Sequence, residues 1–286
     1  MHFTDYKTIL SPKNGMNIYR GCTHGCIYCD SRSKCYQMKH AFEDIEIKRN
    51  APEILASQLQ KRRKPAMITT GAMSDPYLHL EAKYQYMRQC LAVIEKHGFG
   101  VSVLTKSDLV LRDLDLLKKI NYKTKCVVQM TLTTFDENLC RLIEPNVATT
   151  AKRVHALEIL RDNGIPTVVW LGPFLPFIND NEENLQGLLD YCLWAGVKGI
   201  ICFGFGVTMR EGNREYFYEK LDQDFPGLKR IYIQEFGNRY ECMSTAHQQL
   251  TKKLRNTCKK NDILYHQEAF AYLSEFESKF GQMSLF

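Results

Sequence analysis

Residues 17–29 of the chain read NIYRGCTHGCIYC, a short apolar run that leads directly into three cysteines. Cys22 and Cys26 are separated by three residues, and Cys26 and Cys29 by two. A loop of this length can place three thiolates around one small metal centre, and thiolates are the usual ligands of iron–sulfur clusters. Three thiolates leave one iron of a four-iron cluster without a protein ligand. That iron can bind a substrate or a cofactor, as the open position of a catalytic zinc does.

The alternative for this loop is a tetrahedral zinc site, which needs a fourth ligand such as His24 or Cys35. The chain has 286 residues and 11 cysteines, and an odd count in a long chain argues against a secreted disulfide scaffold. Most other cysteines stand at apolar positions, and we interpret them as buried core residues. They are Cys90, Cys126, Cys140, Cys192, Cys202, Cys242 and Cys258.

Short apolar runs rich in β-branched residues recur beyond the cysteine loop. Nearly continuous hydrophobic strands are typical of parallel sheets covered on both faces. Helical patterns that end near a glycine, such as Gly98, lie between the runs. This alternation predicts βα units, and six of them suit an open, partial barrel rather than a closed eight-fold one. The predicted strands are residues 17–19, 66–70, 101–105, 126–132, 166–171 and 199–203.

We therefore predict an α/β fold, with a partial (β/α)6 barrel over residues 1–205 and a C-terminal helical extension over residues 206–286. Amphipathic patterns predict two helices in the extension, at residues 246–260 and 266–280. We expect the extension to pack on the barrel rather than to form a free tail.

The net charge of +6 arises in residues 1–64, which hold 12 lysines and arginines against 6 acidic residues. This segment ends in a basic quadruplet, KRRK, at residues 61–64. The quadruplet could contact phosphates, or it could be the solvated end of a helix, where cations complement the dipole. The chain shows neither a run long enough for a membrane span nor a signal-peptide pattern, and we expect a cytoplasmic protein.

The cysteine loop and the predicted barrel together resemble the radical S-adenosylmethionine (radical SAM) superfamily. The resemblance covers residues 15–205 and rests on the three cysteines after the first strand, with Tyr28 directly before the last of them. It implies a [4Fe–4S] cluster on Cys22, Cys26 and Cys29, and S-adenosylmethionine on the open iron. It also implies a 5′-deoxyadenosyl radical that abstracts a hydrogen atom, and a reductant such as flavodoxin or ferredoxin. The barrel then positions the cofactor and excludes water.

Further residues are similar to the spore photoproduct lyase branch of that superfamily, which repairs a thymine dimer in DNA. Ser74-Asp75 follows the second predicted strand, Thr105-Lys106 ends the third, and Thr131 stands where that branch has a serine. The carboxyl ends of parallel strands form the active face of such barrels, so these side chains would meet there. The resemblance implies that Tyr28 and Lys106 are catalytic. It implies that the cofactor is held by Ser74, Asp75, Lys106, Thr131 and Arg153.

Residues 236–240, FGNRY, are similar to part of the lesion-probing hairpin of the lyase, which implies that Arg239 and Tyr240 contact substrate. The candidate cofactor residues also admit structural interpretations. Ser74 and Asp75 could cap a helix, and Lys106 could be a surface residue. Arg153 could pair with Glu144.

Two positions depart from the lyase pattern. Ala72 replaces the cysteine that returns a hydrogen atom to the product radical, and Asp30 replaces a tyrosine that helps relay hydrogen. Tyr28 or a cysteine elsewhere, Cys35 being the nearest in sequence, could serve as the donor, or the substrate could differ.

The chain ends in QMSLF at residues 282–286. This is similar to the Gln-Leu-Ser-Leu-Phe peptide by which bacterial replication and repair proteins dock on the DNA polymerase sliding clamp. It implies that Gln282, Leu285 and Phe286 bind the clamp, with Leu and Phe as anchors for an apolar pocket.

The sequence thus predicts a radical SAM enzyme, similar to the lyase, that acts on DNA. One rival is a radical SAM enzyme that modifies RNA, a peptide or a metabolite. The other is a non-catalytic metal-binding nucleic-acid protein. The lesion, the hydrogen donor, the fate of S-adenosylmethionine and the oligomeric state do not follow from the residues.

Overall fold

The main feature of the computed structural model, which describes residues 1–279, is a seven-stranded parallel sheet. The strands of the described residues are β1 (His2–Thr4), β2 (Gly15–Met16), β3 (Tyr19–Arg20), β4 (Glu46–Lys48), β5 (Met67–Thr70), β6 (Gly100–Thr105), β7 (Cys126–Leu132), β8 (Thr167–Leu171), β9 (Gly199–Ile201), β10 (Gly206–Thr208), β11 (Glu241–Met243) and β12 (Leu264–Tyr265).

The large sheet has the strand order β12-β9-β8-β7-β6-β5-β2, and all six neighbouring pairs are parallel. All seven residues of the central strand β7 are buried, as expected for a sheet covered on both faces. The predicted α/β partial barrel is confirmed. Strands β5 to β9 lie at the predicted positions, with ends that differ by at most two residues.

The first strand differs from the prediction for residues 17–19. The barrel strand is β2, while Tyr19 belongs to β3 of a separate three-stranded sheet with the order β1-β4-β3. Between them, the carbonyl of Ile18 accepts a hydrogen bond from Lys48 N at 3.1 Å. The apolar run therefore crosses from one sheet to the other.

Helices cover the strands and connect them in βα order. Gly98, Gly164 and Gly196 each lie just beyond the end of a helix and have positive φ. Each is a predicted C-terminal helix stop, at a conformation that glycine adopts without strain. The helices are α1 (Ala51–Gln60), α2 (Glu81–Tyr84), α3 (Tyr86–Lys96), α4 (Leu114–Lys123), α5 (Glu137–Ile143), α6 (Thr150–Asp162), α7 (Glu182–Trp194), α8 (Asn213–Asp224), α9 (Leu228–Phe236), α10 (His247–Lys260) and α11 (Gln267–Ser274).

The chain after residue 205 packs on the barrel at three places. At one edge, β12 pairs with β9, and Ala269 and Leu273 of α11 are buried against Val127, Val168 and Ile201 of the sheet. Near the cysteine loop, residues of α8 and α9 join Cys26, Ile27 and Tyr28 in a second apolar cluster. Buried residues of α10 belong to the main core. Strands β10 and β11 form an antiparallel pair. Within residues 1–279, no helix is both long and apolar enough to cross a membrane.

Candidate active site

A cavity of about 900 Å³ opens at the carboxyl end of the large sheet. Its walls come from the cysteine loop, from the segments that follow β5, β6, β8 and β9, and from the β10–β11 pair. Ligands bind at this end of parallel sheets because the strand-to-helix loops converge there. The predicted residues Ser74, Asp75, Lys106 and Thr131 all line this one cavity.

The cysteine loop forms the inner wall, and backbone hydrogen bonds from distant segments fix its path. Cys22 N donates to Phe42 O at 2.9 Å, and Ile27 N donates to Ile143 O at 3.0 Å. The loop turns at Gly25, whose φ of +72° suits glycine, and a Cβ there would lie 3.0 Å from Pro145 Cγ. The loop is therefore held by the rest of the chain, and its three cysteines all line the cavity.

The donor set fits an iron–sulfur cluster better than a mononuclear zinc. All three thiols are free, and within residues 1–279 they are not a set whose sulfur atoms all lie within 4.8 Å of one another. A tetrahedral zinc with Zn–S bonds near 2.3 Å would need every pair of sulfur atoms about 3.8 Å apart. Burial raises the pKa of Cys22 to about 12 and that of Cys26 well above its ordinary value. Both thiols must therefore be deprotonated when they bind a metal centre.

Ser74 and Asp75 connect the loop after β5 to two neighbouring segments. Ser74 Oγ donates to Gly21 O, next to the first cysteine, at 2.6 Å. One carboxylate oxygen of Asp75 accepts from Thr105 Oγ1 and Tyr77 N, and the other accepts from Lys106 N at 2.7 Å. The alternative of a helix cap does not hold for Ser74 and Asp75, since α2 begins at Glu81 and the Asp75 bond to Tyr77 closes only a turn.

Tyr28, Glu144 and Arg153 form a buried hydrogen-bonded network behind the cavity wall. The Tyr28 hydroxyl donates to one Glu144 oxygen, and Arg153 Nη2 donates to the other. Arg153 is fully buried, and its Nη1 also donates to the carbonyl of Thr131 at 2.7 Å. Although burial opposes charge on Glu144, Arg153 and Lys106 hold the pKa of this carboxyl below its usual value. These hydrogen bonds fix the ring of Tyr28 beside the cysteines.

Lys106 is the cation of the inner wall. Its Nζ lies 5.8 Å from the centre of the Tyr28 ring. Burial alone would lower the pKa of Lys106, but the negative charges of the Cys26 thiolate and the Glu144 carboxylate outweigh burial and raise it. A permanent positive charge therefore faces the cavity beside the thiols.

The mouth of the cavity holds a polar cluster around Arg210, which sequence reasoning missed. Arg210 Nη1 donates to Tyr36 Oη at 3.1 Å, and Nη2 donates to Tyr240 Oη at 2.9 Å. Tyr36 Oη in turn donates to an Asp30 carboxylate oxygen at 2.8 Å. Asp30 thus holds the hydroxyl of Tyr36, and both residues line the cavity.

An aromatic platform lies across the mouth and was also missed. Phe203 is 70% exposed although it follows β9, and it lines the cavity. Its ring contacts those of Trp170, Phe270 and His266, with centre-to-centre distances of 5.4, 5.8 and 5.4 Å. Phe270 and His266 belong to the extension, so only the folded chain could reveal the platform.

Several predicted residues do not line the cavity. Arg153 contacts Thr131, which lines the cavity, and forms an ion pair with Glu144. This ion pair is the structural alternative that the sequence offered for Arg153. Arg239 lies outside the cavity lining, and its guanidinium donates to Glu235 O, whereas its neighbour Tyr240 does line it. Ala72 lines it too. Cys35 lies outside the lining, where its Sγ accepts from Arg210.

The structure describes one of the two remaining candidate contact segments, and that segment lies away from the cavity. The basic quadruplet at 61–64 follows α1, which ends at Gln60, and all four residues are exposed. It precedes β5, so it lies at the amino end of the sheet, away from the cavity. The clamp-like residues Gln282, Leu285 and Phe286 lie outside the described residues.

Comparison with known proteins agrees with this architecture. The model of the radical SAM superfamily matches residues 16–190. An uncharacterized protein of Methanocaldococcus jannaschii is 30% identical over 252 residues, which are 87% of this chain and 86% of that protein. An uncharacterized protein of Mycobacterium tuberculosis is 29% identical over 230 residues, which are 76% of this chain and 65% of that protein.

Among solved structures, spore photoproduct lyase in complex with a dinucleoside spore photoproduct is similar, with a TM-score of 0.62 and 14% identity. That match covers 87% of this chain and 74% of the lyase. A radical SAM methyltransferase from Kitasatospora setae, solved with cobalamin and a [4Fe–4S] cluster, has a TM-score of 0.51 and 13% identity. It covers 68% of this chain and 37% of the methyltransferase. Enzymes of the matched family use a [4Fe–4S] cluster and S-adenosylmethionine, and these are the cofactors of this protein. From its family match, its fold and its cysteine loop, we conclude that the chain belongs to the radical SAM superfamily.

Proposed function

We propose that the protein is a radical SAM enzyme that acts on DNA in a repair reaction similar to that of the photoproduct lyase. The observation that carries the proposal is a single cavity with three free cysteines on its inner wall and an exposed aromatic platform at its mouth. The inner wall suits the cofactors, and the mouth suits a flat nucleobase.

Cys22, Cys26 and Cys29 would hold the cluster. When bound, the cluster and S-adenosylmethionine supply a 5′-deoxyadenosyl radical upon one-electron reduction. Lys106 would pair with the carboxylate of the methionyl group, since its charge faces the cavity beside the thiols. Ser74, Asp75 and Thr131 would shape the rest of the cofactor pocket, with Arg153 positioning Thr131 and Glu144 from behind.

The Phe203 platform favours a nucleobase substrate. Proteins that bind single-stranded or flipped bases stack them on exposed aromatic side chains, and this contact tolerates different bases. Arg210 at the same mouth could contact a phosphate or a base edge once a substrate displaces Tyr240 from it. Arg239 and Tyr240 would lie along the strand that leads to the platform.

The hydrogen donor in place of the lyase cysteine would be Tyr36. Outside the cysteine loop, no cysteine of residues 1–279 lines the cavity, whereas Tyr28, Tyr36 and Tyr240 do. The Tyr28 hydroxyl is bonded to the buried Glu144 behind the wall, and the Tyr36 hydroxyl lies at the mouth. Burial and the adjacent Asp30 carboxylate raise the pKa of Tyr36, so its phenol keeps its proton near neutral pH. Transfer of the phenolic hydrogen atom would form a C–H bond on the substrate radical and leave a tyrosyl radical, which the one-electron reductant and a proton would restore.

Deuterium transfer tests this function most directly. The reconstituted enzyme is incubated anaerobically with dithionite, S-adenosylmethionine and substrates carrying deuterium at candidate positions. Oligonucleotides with spore photoproduct, other photodimers and undamaged DNA are compared with RNA and peptide. We expect deuterium in 5′-deoxyadenosine only with damaged DNA. Cleavage of S-adenosylmethionine without transfer from any DNA, but with transfer from RNA or peptide, would contradict the DNA assignment.

The partners follow from the same proposal. A low-potential reductant such as flavodoxin or ferredoxin would reduce the cluster, and the C-terminal peptide at 282–286 would bind the sliding clamp. A pull-down with the clamp, comparing the full chain with a chain ending at residue 281, tests the second contact. Equal retention of both chains would remove the clamp from the proposal.

A further inference from the structure

We propose a second metal site, for zinc, on the small sheet at the back of the cysteine loop. Its ligands are His2, His40 and Glu46. These residues each offer one ligand atom, and the three atoms all lie within 4.8 Å of one another. Among residues 1–279, they are the one group of three or more histidine, cysteine or acidic residues with this property.

The fold brings the three residues together from separate segments. His2 in β1 and Glu46 in β4 are directly opposite in the parallel pairing of the two strands. His40 lies in the connection that follows the cysteine loop and leads into β4. Glu46 is buried, and both histidines are partly buried. The pairing of β1 with β4 therefore places His2 beside Glu46, and the connection before β4 adds His40.

Hydrogen bonds orient both imidazoles as in known metal sites. His2 Nδ1 lies 3.0 Å from a carboxylate oxygen of Asp44, and His40 Nδ1 lies 3.0 Å from the carbonyl of Ala41. Each contact places the ring proton on Nδ1 and leaves the lone pair of Nε2 for a metal. A carboxylate or carbonyl that orients a ligating histidine in this way is the usual outer partner of a zinc ligand.

The geometry at His40 and Glu46 matches the edge of a tetrahedral zinc site. His40 Nε2 lies 3.3 Å from a carboxylate oxygen of Glu46. In the neutral ring with its proton on Nδ1, the Nε2 lone pair faces this carboxylate oxygen, and a bound cation would satisfy both atoms. Zn–N and Zn–O bonds of about 2.0–2.1 Å at a tetrahedral angle separate the two ligand atoms by about 3.3 Å. Tyr6 Oη holds the other Glu46 oxygen at 2.7 Å.

The ligand types select a borderline metal. Two imidazoles and one carboxylate suit zinc and related transition metals, whereas calcium and magnesium prefer oxygen ligands alone. Water would complete the coordination. The His40 connection also supplies the Phe42 carbonyl that holds Cys22 N. Zinc would therefore tie the first strand to the segment that supports the cysteine loop.

Metal analysis of the holoenzyme tests the site. After cluster reconstitution and incubation with zinc and a competing chelator, we expect about one zinc per chain besides the cluster iron. His40→Ala and Glu46→Gln should lose this zinc and keep the iron. The matched control His155→Ala, whose side chain is 71% exposed, should keep both metals.

A second variant excludes zinc that is bound by the cysteine loop instead of by the proposed site. In a chain with Cys22, Cys26 and Cys29 all replaced by alanine, zinc should still bind and raise the melting temperature, and Glu46→Gln should abolish the rise. Retention of zinc by His40→Ala and Glu46→Gln, or absence of zinc from the holoenzyme and from the alanine background, would overturn the proposal. Iron content and cleavage of S-adenosylmethionine are measured separately from zinc content. A failure of the zinc proposal is therefore distinct from a failure of the proposed function.

Discussion

The inner wall of the cavity and its mouth are built in opposite ways. At the inner wall, buried side chains are hydrogen-bonded to one another, as in the network from Tyr28 through Glu144 to Arg153. At the mouth, Phe203 is 70% exposed and Tyr240 44% exposed. A buried network of this kind fixes one geometry, while an exposed aromatic surface can accept different partners. In the proposed function, the inner wall would serve the chemistry that the superfamily shares, and the mouth would set the substrate.

Removal of a cluster ligand would break the inner wall most completely. In Cys22→Ala, we expect loss of the bound cluster and of S-adenosylmethionine cleavage, since two thiolates cannot hold it. Iron analysis after anaerobic reconstitution measures the effect. The matched control is Cys90→Ala, a fully buried cysteine of the main core, which should keep its iron. Full iron content in Cys22→Ala would contradict the ligand assignment.

Disruption of the buried ion pair should have the next largest effect. Glu144→Gln removes the negative charge that compensates Arg153, and both side chains are fully buried. A broken buried pair costs about 3–5 kcal/mol because an uncompensated charge remains. Urea unfolding of the apoprotein measures the loss. Glu211→Gln, which removes an exposed pair with Lys34, should leave stability unchanged, and equal losses for both variants would refute the argument.

Much of the inner wall could be predicted because its residues follow strands in sequence. Ser74 and Lys106 follow the buried strands β5 and β6, Thr131 is the penultimate residue of β7, and parallel strands bring these ends together. The link between Tyr28 and Glu144 could not be predicted in the same way, since it joins positions 116 residues apart through a single hydroxyl.

The aromatic platform at the mouth escaped prediction for a related reason. Phe203 looked like the end of a buried strand, but the strand stops at Ile201 and the ring meets residues of the extension instead. The pairing of β12 with β9, which brings those residues there, involves only two residues of β12. So short a strand leaves little periodicity in the sequence to detect.

Loss of the aromatic platform should alter substrate binding without touching the cofactors. Phe203→Ala should weaken binding of a short single-stranded oligonucleotide by roughly tenfold, because stacking of a base contributes about 1–3 kcal/mol. Fluorescence anisotropy measures this affinity, while S-adenosylmethionine cleavage without substrate should not change. Trp194→Ala is the control, since Trp194 is 71% exposed at the end of α7, away from the cavity. Equal affinities of Phe203→Ala and the parent would remove the platform from the substrate site.

Neutralisation of the basic quadruplet should have the smallest effect on oligonucleotide affinity. It tests whether positive charge far from the mouth contributes to binding. Changing residues 61–64 to glutamine removes four positive charges, yet they lie at the amino end of the sheet, opposite the mouth. A short oligonucleotide held at the mouth cannot reach them, so its affinity and the salt dependence of that affinity should stay near those of the parent. If the quadruplet contacted phosphates, the slope of log affinity against log salt would become shallower by about 0.7 for each lost contact on a single strand. Such a change would place the polyanion on the far side of the barrel and would assign the aromatic mouth to a smaller substrate.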